Sequence, residues 1–221
     1  MQHGIYAPWH YPDVRMPFQP MLASNVAPRH LCGEWVLEPK FDGWRTIIAV
    51  DESVRVWTRR GHELTERLAE LAPLVEVLGG SRVVLDGELV AGQGRASDFY
   101  GVLPRVAART RRMPLTFVAF DVLAVDEPVI DQPYRKRRAL LDALALNGPA
   151  WCTAPCLRGS VADVLTACGE HDVEGVVAKR VDSPYRPGER SGDWIKLKTA
   201  DWRVAHAPRR AERMRDAHGR D

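Results

Sequence analysis

WVLEPKFDGWRTIIAV, residues 35–50, is the stretch from which the rest of the chain is read. WVLEPK (35–40) reads as a strand, Asp42-Gly43 as a turn, and WRTIIAV (44–50) as its partner strand, so the segment predicts a β-hairpin. Lys40 ends the first strand and Arg45 lies just past the turn. An amine and a guanidinium around a tight turn suit covalent capture of a phosphoryl group. The amine attacks phosphorus and the arginine orients the nucleotide. Taken alone, K-x-D-G-x-R has a plainer alternative as a charged β-hairpin.

Outward from there, VRVWT (54–58) adds a strand before an Arg60-Gly61 turn. Leu68, Leu71, Val75 and Leu78 recur at helical spacing and predict a helix over 65–78, stopped by Gly79-Gly80. RVVLDGELVAG (82–92) and TFVAFDVLAV (116–125) are strands, with a helix bent at Pro104 expected over 96–108. Two amphipathic helices follow at 134–146 and 161–168, then the strands EGVVAKRV (174–181) and DWIKLK (193–198). Consecutive strands with interspersed helices predict an α+β fold with mostly antiparallel sheets.

The 221 residues, 45% of them hydrophobic, suffice for one good-sized domain or two small ones. Net charge is only +2, so nothing global announces a polyanionic partner. Past Trp202, however, Arg203, Arg209, Arg210, Arg213, Arg215 and Arg220 form a basic run, which is either a nucleic-acid contact or a solvated tail. No stretch approaches the length of an apolar membrane span, and the N-terminus lacks a signal-peptide core. The expectation is a soluble, cytoplasmic protein with no membrane partner. Four irregularly spaced cysteines make no disulfide framework. Cys152, Cys156, Cys168 and His171 fit a zinc site poorly, and buried or partly buried thiols are expected instead.

Only five of the 31 basic residues are lysines: Lys40, Lys136, Lys179, Lys196 and Lys198. In so arginine-rich a chain, retained lysines mark places that need an amine able to lose its proton. Lys136 sits in the generic run YRKRR; the other four fall in motifs.

Taken together, these motifs resemble the ordered set of the covalent nucleotidyltransferases: DNA ligases, RNA ligases and mRNA-capping enzymes. E-P-K-F-D-G-W-R (38–45) is similar to the first motif, which implies Lys40 as the adenylated nucleophile, Arg45 as a nucleotide contact and Glu38 as reader of the adenine edge. T-R-R-G (58–61) resembles the next, with Arg59 and Arg60 facing the nucleotide and the DNA end. L-D-G-E (85–88) looks like the third, with Glu88 serving the ribose or a metal. FVAFDVL (117–123) implies Phe120 as the base-stacking ring. EGVVAK (174–179) implies Glu174 as a metal-site carboxylate and Lys179 as a nucleotide contact. DWIKLK (193–198) implies Lys196 and Lys198 on the phosphates. Asp98, Phe99 and Arg105 carry only a weak suspicion of approaching the nucleotide.

The resemblance runs from about Pro20 to Lys198 and is stronger to ligase modules of bacterial end-joining systems than to capping enzymes. It implies two mostly antiparallel sheets with flanking helices around a nucleotide cleft, a ligase-type, ATP-grasp-like arrangement. It further implies ATP and Mg²⁺ (or Mn²⁺) as cofactors, nicked or broken duplex DNA as partner, and association with the nucleoid when acting. RNA ligase activity and a non-catalytic end-binding module are the alternatives. The residue types agree physically. Lys196, Lys198 and Arg45 favour a neutral, attacking Lys40 and neutralise departing pyrophosphate. Glu88 and Glu174 offer the hard oxygens that Mg²⁺ takes. Residues 1–19 are expected to be an extension, 20–200 the adenylation domain and 201–221 a basic tail. The 23 residues after Lys198 are too few for an OB-fold, so the chain is expected to be a stand-alone core, a fragment, or one half of a two-protein ligase whose partner is a separate OB-fold or end-joining protein.

Overall fold

The computed structural model describes residues 15–28, 31–92, 114–202 and 204. The helix expected over 96–108, the residues Asp98, Phe99 and Arg105, and the terminal arginine run lie outside the described residues.

Strands are numbered in chain order. One sheet has four, ordered β1 (Leu22–Ser24), β10 (Arg190–Lys198), β9 (Gly175–Arg180) and β2 (Trp35–Pro39). The other runs β4 (Val54–Thr58), β3 (Trp44–Val50), β5 (Val83–Ala91), β6 (Leu115–Val125) and β7 (Glu127–Pro128), with β8 (Trp151–Thr153) paired to β6. Pairings are antiparallel except β1 with β10 and β6 with β8. The three shortest strands, β1, β7 and β8, carry too few residues to show a period in the sequence.

The expected hairpin over 35–50 does not form. Strand β2 pairs with β9, whereas β3 pairs with β4 and β5, so the two halves of the segment belong to different sheets. A two-residue hairpin turn needs positive φ at its centre, and neither Asp42 nor Gly43 adopts it. Instead the Lys40 amide donates to the carbonyl of Gly175 at 2.8 Å. Gly43 lies so close to the Leu89 carbonyl that a side chain there would strike it. Lys40 to Gly43 is thus the crossover that stitches the sheets together.

The helix expected over 65–78 also breaks up. It becomes 3-10 turns at Thr65–Arg67 and Ala69–Leu71 and a short α1 (Leu74–Val77). Pro73 has no amide hydrogen to continue a helical ladder. Of the predicted apolar positions Leu68, Leu71 and Leu78 are buried in the core against the six-stranded sheet, while Val75 is only partly buried and Leu74 takes the inner place beside it.

Helix α2 (Tyr134–Ala143) packs on β6, and α3 (Val161–Glu170) covers the four-stranded sheet. Under α3 lie Leu37, Val176, Ala178, Ile195 and Leu197, every second residue of β2, β9 and β10. The alternate residues face the opposite way. A third core, with Met21, Ile47, Ala49, Val84 and Trp194, joins the two sheets. Cys168 is buried and Cys152 partly so, but Cys156 is exposed in the irregular chain after β8 and Pro155, contrary to expectation.

Candidate active site

Strand alternation arms one face of the four-stranded sheet in rows. Register places Val36, Lys179 and Trp194 in one row and Glu38, Val177 and Lys196 in the next. The third row holds Gly175 and Lys198, with Lys40 joined by the hydrogen bond its backbone N–H donates to the Gly175 carbonyl. Gly175 has φ 151°, and a side chain there would collide with the Leu197 carbonyl. Beside it the buried Glu174 carboxylate bridges two amines. One oxygen contacts Lys40 Nζ, and the other meets Lys198 Nζ at 2.5 Å. Lys198 Nζ also sits 3.2 Å from the centroid of the Trp202 ring.

The six-stranded sheet supplies the opposing wall. Arg45 stands directly across from Glu88 in the β3–β5 register. Its Nε and Nη2 grip Asp86 at 2.5 and 2.6 Å, and Nη2 reaches the Met21 carbonyl at 3.3 Å. Burial opposes the Arg45 charge, but Asp86 overrides it and holds the guanidinium more firmly protonated. Asp86 also accepts from the Tyr185 hydroxyl at 2.5 Å, and that hydroxyl accepts from the Met21 amide at 2.8 Å. Phe120 owes its position to a bulge. Gly87 pairs with Ala119 and Asp86 with Asp121, so Phe120 is the skipped residue. Arg45 lies 4.4 Å and Lys179 4.5 Å from the Phe120 ring centroid.

The walls enclose a cleft lined by Glu38, Lys40, Arg45, Arg59, Glu88, Phe120, Lys179, Trp194 and Lys196, among others. Burial pushes the Glu88 carboxyl up to about 7, against the pull of Arg45 and Lys40. Burial, then Lys40 and Arg45, bring Lys196 down to about 8. Lys198 is lowered by burial, with Glu174 opposing. A lysine beside a carboxylate, faced by further amines and an aromatic ring in a cleft between two sheets, is equipped to take up a nucleotide covalently.

Comparison with known proteins agrees. Residues 20–198 match the family model described as ATP dependent DNA ligase domain.

The chain belongs to the ATP-dependent DNA ligase domain family.

Among its relatives, the multifunctional non-homologous end joining DNA repair protein LigD of Mycobacterium tuberculosis H37Rv is 35% identical over 182 residues, 81% of this chain and 24% of that protein. The SPbeta prophage-derived DNA ligase-like protein LigB of Bacillus subtilis is 30% identical over 186 residues, covering 83% and 68%. A solved structure of mycobacterial DNA ligase D complexed with ATP and MES superposes with a TM-score of 0.69 at 33% identity, covering 82% and 60%. The chain spans about a quarter of the length of the LigD protein it matches.

Within this ligase domain most of the residues singled out in the sequence converge, though not all equally. Arg59 lines the cleft from the turn after β4, whereas Arg60, next to it, is exposed and outside the lining. Lys179 is almost wholly buried, bonded to the Phe120 carbonyl and to Glu38, each at 2.7 Å. Mg²⁺ beside phosphate takes one or two carboxylates and keeps its waters. Glu174 contacts the Lys40 amine and Glu88 lines the same cleft as Lys40, so the donor set fits such an ion. Sequence reading missed Tyr134, Arg138, Asp86 and Tyr185. Asp86 lay inside a quoted motif, and Tyr134 and Arg138 inside the run YRKRR, read as generic; Tyr185 carried no signal apart from the fold.

Among the described residues, no helix is long and apolar enough to cross a membrane.

Proposed function

We propose that this ligase domain transfers AMP from ATP to Lys40, passes it to the 5′-phosphate of nicked or broken duplex DNA, and seals the strand. The observation that carries the reading is the Lys40 amine held against Glu174, with Lys198 on the other carboxylate oxygen, at the crossover between the sheets.

In the first step the Lys40 ammonium gives up a proton to solvent. The free amine attacks the α-phosphorus, a P–N bond forms, and the bond to the β-phosphate oxygen breaks, releasing pyrophosphate. Lys196 and Lys198 neutralise the phosphate charge as it builds. Next a DNA 5′-phosphate oxygen attacks the same phosphorus. The P–N bond breaks, and Lys40 recovers a proton. Finally a 3′-hydroxyl attacks the adenylated 5′-phosphate and AMP leaves. Bound Mg²⁺, held by Glu88 and Glu174, would supply Lewis-acid stabilisation of the phosphate oxygens. Glu38 reads the adenine edge, Phe120 stacks on the base, Arg45, Arg59 and Lys179 frame the nucleotide, and Arg60 faces the DNA end. ATP as donor is supported by the family and by the ATP complex of mycobacterial DNA ligase D. Resemblance to LigD supports a role in end joining alongside other end-joining proteins.

Lys40→Arg keeps charge and length but cannot attack. Intact-mass and peptide mapping should find AMP on Lys40 of the native chain and none on the variant, while the variant retains its fold. Label persisting on Lys40→Arg would assign the chemistry to another lysine.

A further inference from the structure

The Glu38 carboxylate is only 2% exposed yet lines the cleft. Three donors hold it. The Tyr134 hydroxyl donates to Oε1, Arg138 Nη1 approaches the same oxygen at 3.4 Å, and Lys179 Nζ meets Oε2 at 2.7 Å. Tyr134 and Arg138 stand one turn apart on α2 and therefore share a face. The helix is itself pinned, because Arg137 between them is fully buried, bidentate to Asp121 at 2.9 Å and bonded to the carbonyls of Gln132 and Ser183. Asp142 holds Arg138 from the other side at 2.9 Å. Lys179 is fixed in turn by three rings, those of Trp194, Phe120 and Tyr134, at 4.4, 4.5 and 4.9 Å.

A carboxylate offers about four lone-pair positions. Two on Oε1 and one on Oε2 are taken, which leaves a single acceptor, fixed in direction. Resting on the reading of Glu38 as the base contact, we infer that Tyr134 and Arg138 are positioning residues that set nucleobase selectivity by restricting Glu38 to one acceptor site. That site takes one N–H, the 6-amino group of adenine. Guanine presents a carbonyl at that place. Its own donors, N1–H and the 2-amino group, form a pair that a carboxylate accepts with both oxygens only if it is free to turn. The cradle denies that turn, so the cradle, not the carboxylate alone, excludes guanine.

The test is calorimetric binding of the α,β-methylene analogues of ATP and GTP to the native chain and to Tyr134→Phe, Arg138→Met and Glu38→Gln, with thermal melting of each. In the native chain the ATP analogue should bind more tightly. Tyr134→Phe should narrow the ATP/GTP ratio of dissociation constants on the order of tenfold, and Arg138→Met in the same direction but less. General loosening of the fold would weaken both analogues alike and leave the ratio unmoved. An unmoved ratio in whichever of the two variants melts cooperatively, together with a collapsed ratio in Glu38→Gln, overturns the positioning role and spares the reading of Glu38. A ratio unmoved in Glu38→Gln, or no binding of either analogue to the native chain, removes the reading on which the proposal rests.

Discussion

At Lys196, burial and the neighbouring charges of Lys40 and Arg45 bring the ammonium down to about 8. The sign is opposite to that of a lysine gaining a partner. The fold favours the neutral amine, so this group's contribution to stability rises as pH climbs from about 8 towards the ordinary lysine range. Phosphate binding runs the other way, because the cation is lost over that interval. Affinity for the ATP analogue should therefore fall between pH 7 and 9. Lys196→Arg, which stays charged, should flatten that fall. Superimposable pH profiles for the two proteins would take Lys196 off the phosphates. The choice of lysine here was legible in the sequence, since an arginine-rich chain keeps amines where it uses them. Its lowered affinity for a proton was not, because that depends on its burial and on how close Lys40 and Arg45 come.

Among the elements, α2 carries more of the site than its sequence announces. YRKRR reads as a generic basic run. In the fold Tyr134 and Arg137 are fully buried and Arg138 partly so, while Arg135 stays outside with Asp182. Arg137 and Asp121 form an ion pair with no solvent on either partner. Removing one side strands the other charge, which costs about 3–5 kcal/mol. Arg137→Met should lower the melting temperature on the order of 10 °C. Arg135→Met, removing an exposed pair, should change it little. Equal shifts for the two variants would mean that the buried pair contributes no more than a surface one. Helical spacing correctly marked α2 and α3. It failed over 65–78 because Pro73 interrupts the hydrogen-bond ladder that apolar periodicity cannot see.

For the molecule as a whole, the cleft is a seam. Glu38, Lys179 and Lys196 come from one sheet and Arg45, Glu88 and Phe120 from the other, joined at Lys40. A nucleotide bound there ties both sheets to the same ligand. At about a hundred times its dissociation constant, ATP analogue should add about 2.7 kcal/mol to stability. Hydrogen exchange should then slow in β9 and β10 and in β5 and β6 together. Protection confined to one sheet would place the nucleotide elsewhere. The sequence by itself determined the α+β class, most strands, the set of amines and carboxylates, and the family, because these depend on residue type and order along the chain. Only the tertiary structure decided that 35–50 is a crossover and not a hairpin, since strand pairing is a competition among distant partners and Gly175 and Leu89 claim the backbone on either side of the turn. It likewise decided that a bulge turns Phe120 into the cleft and that Tyr134, Arg138 and Lys179 converge on Glu38. Those contacts join residues up to 141 positions apart, as Lys179 and Glu38 are, and no local pattern encodes a distance across the fold.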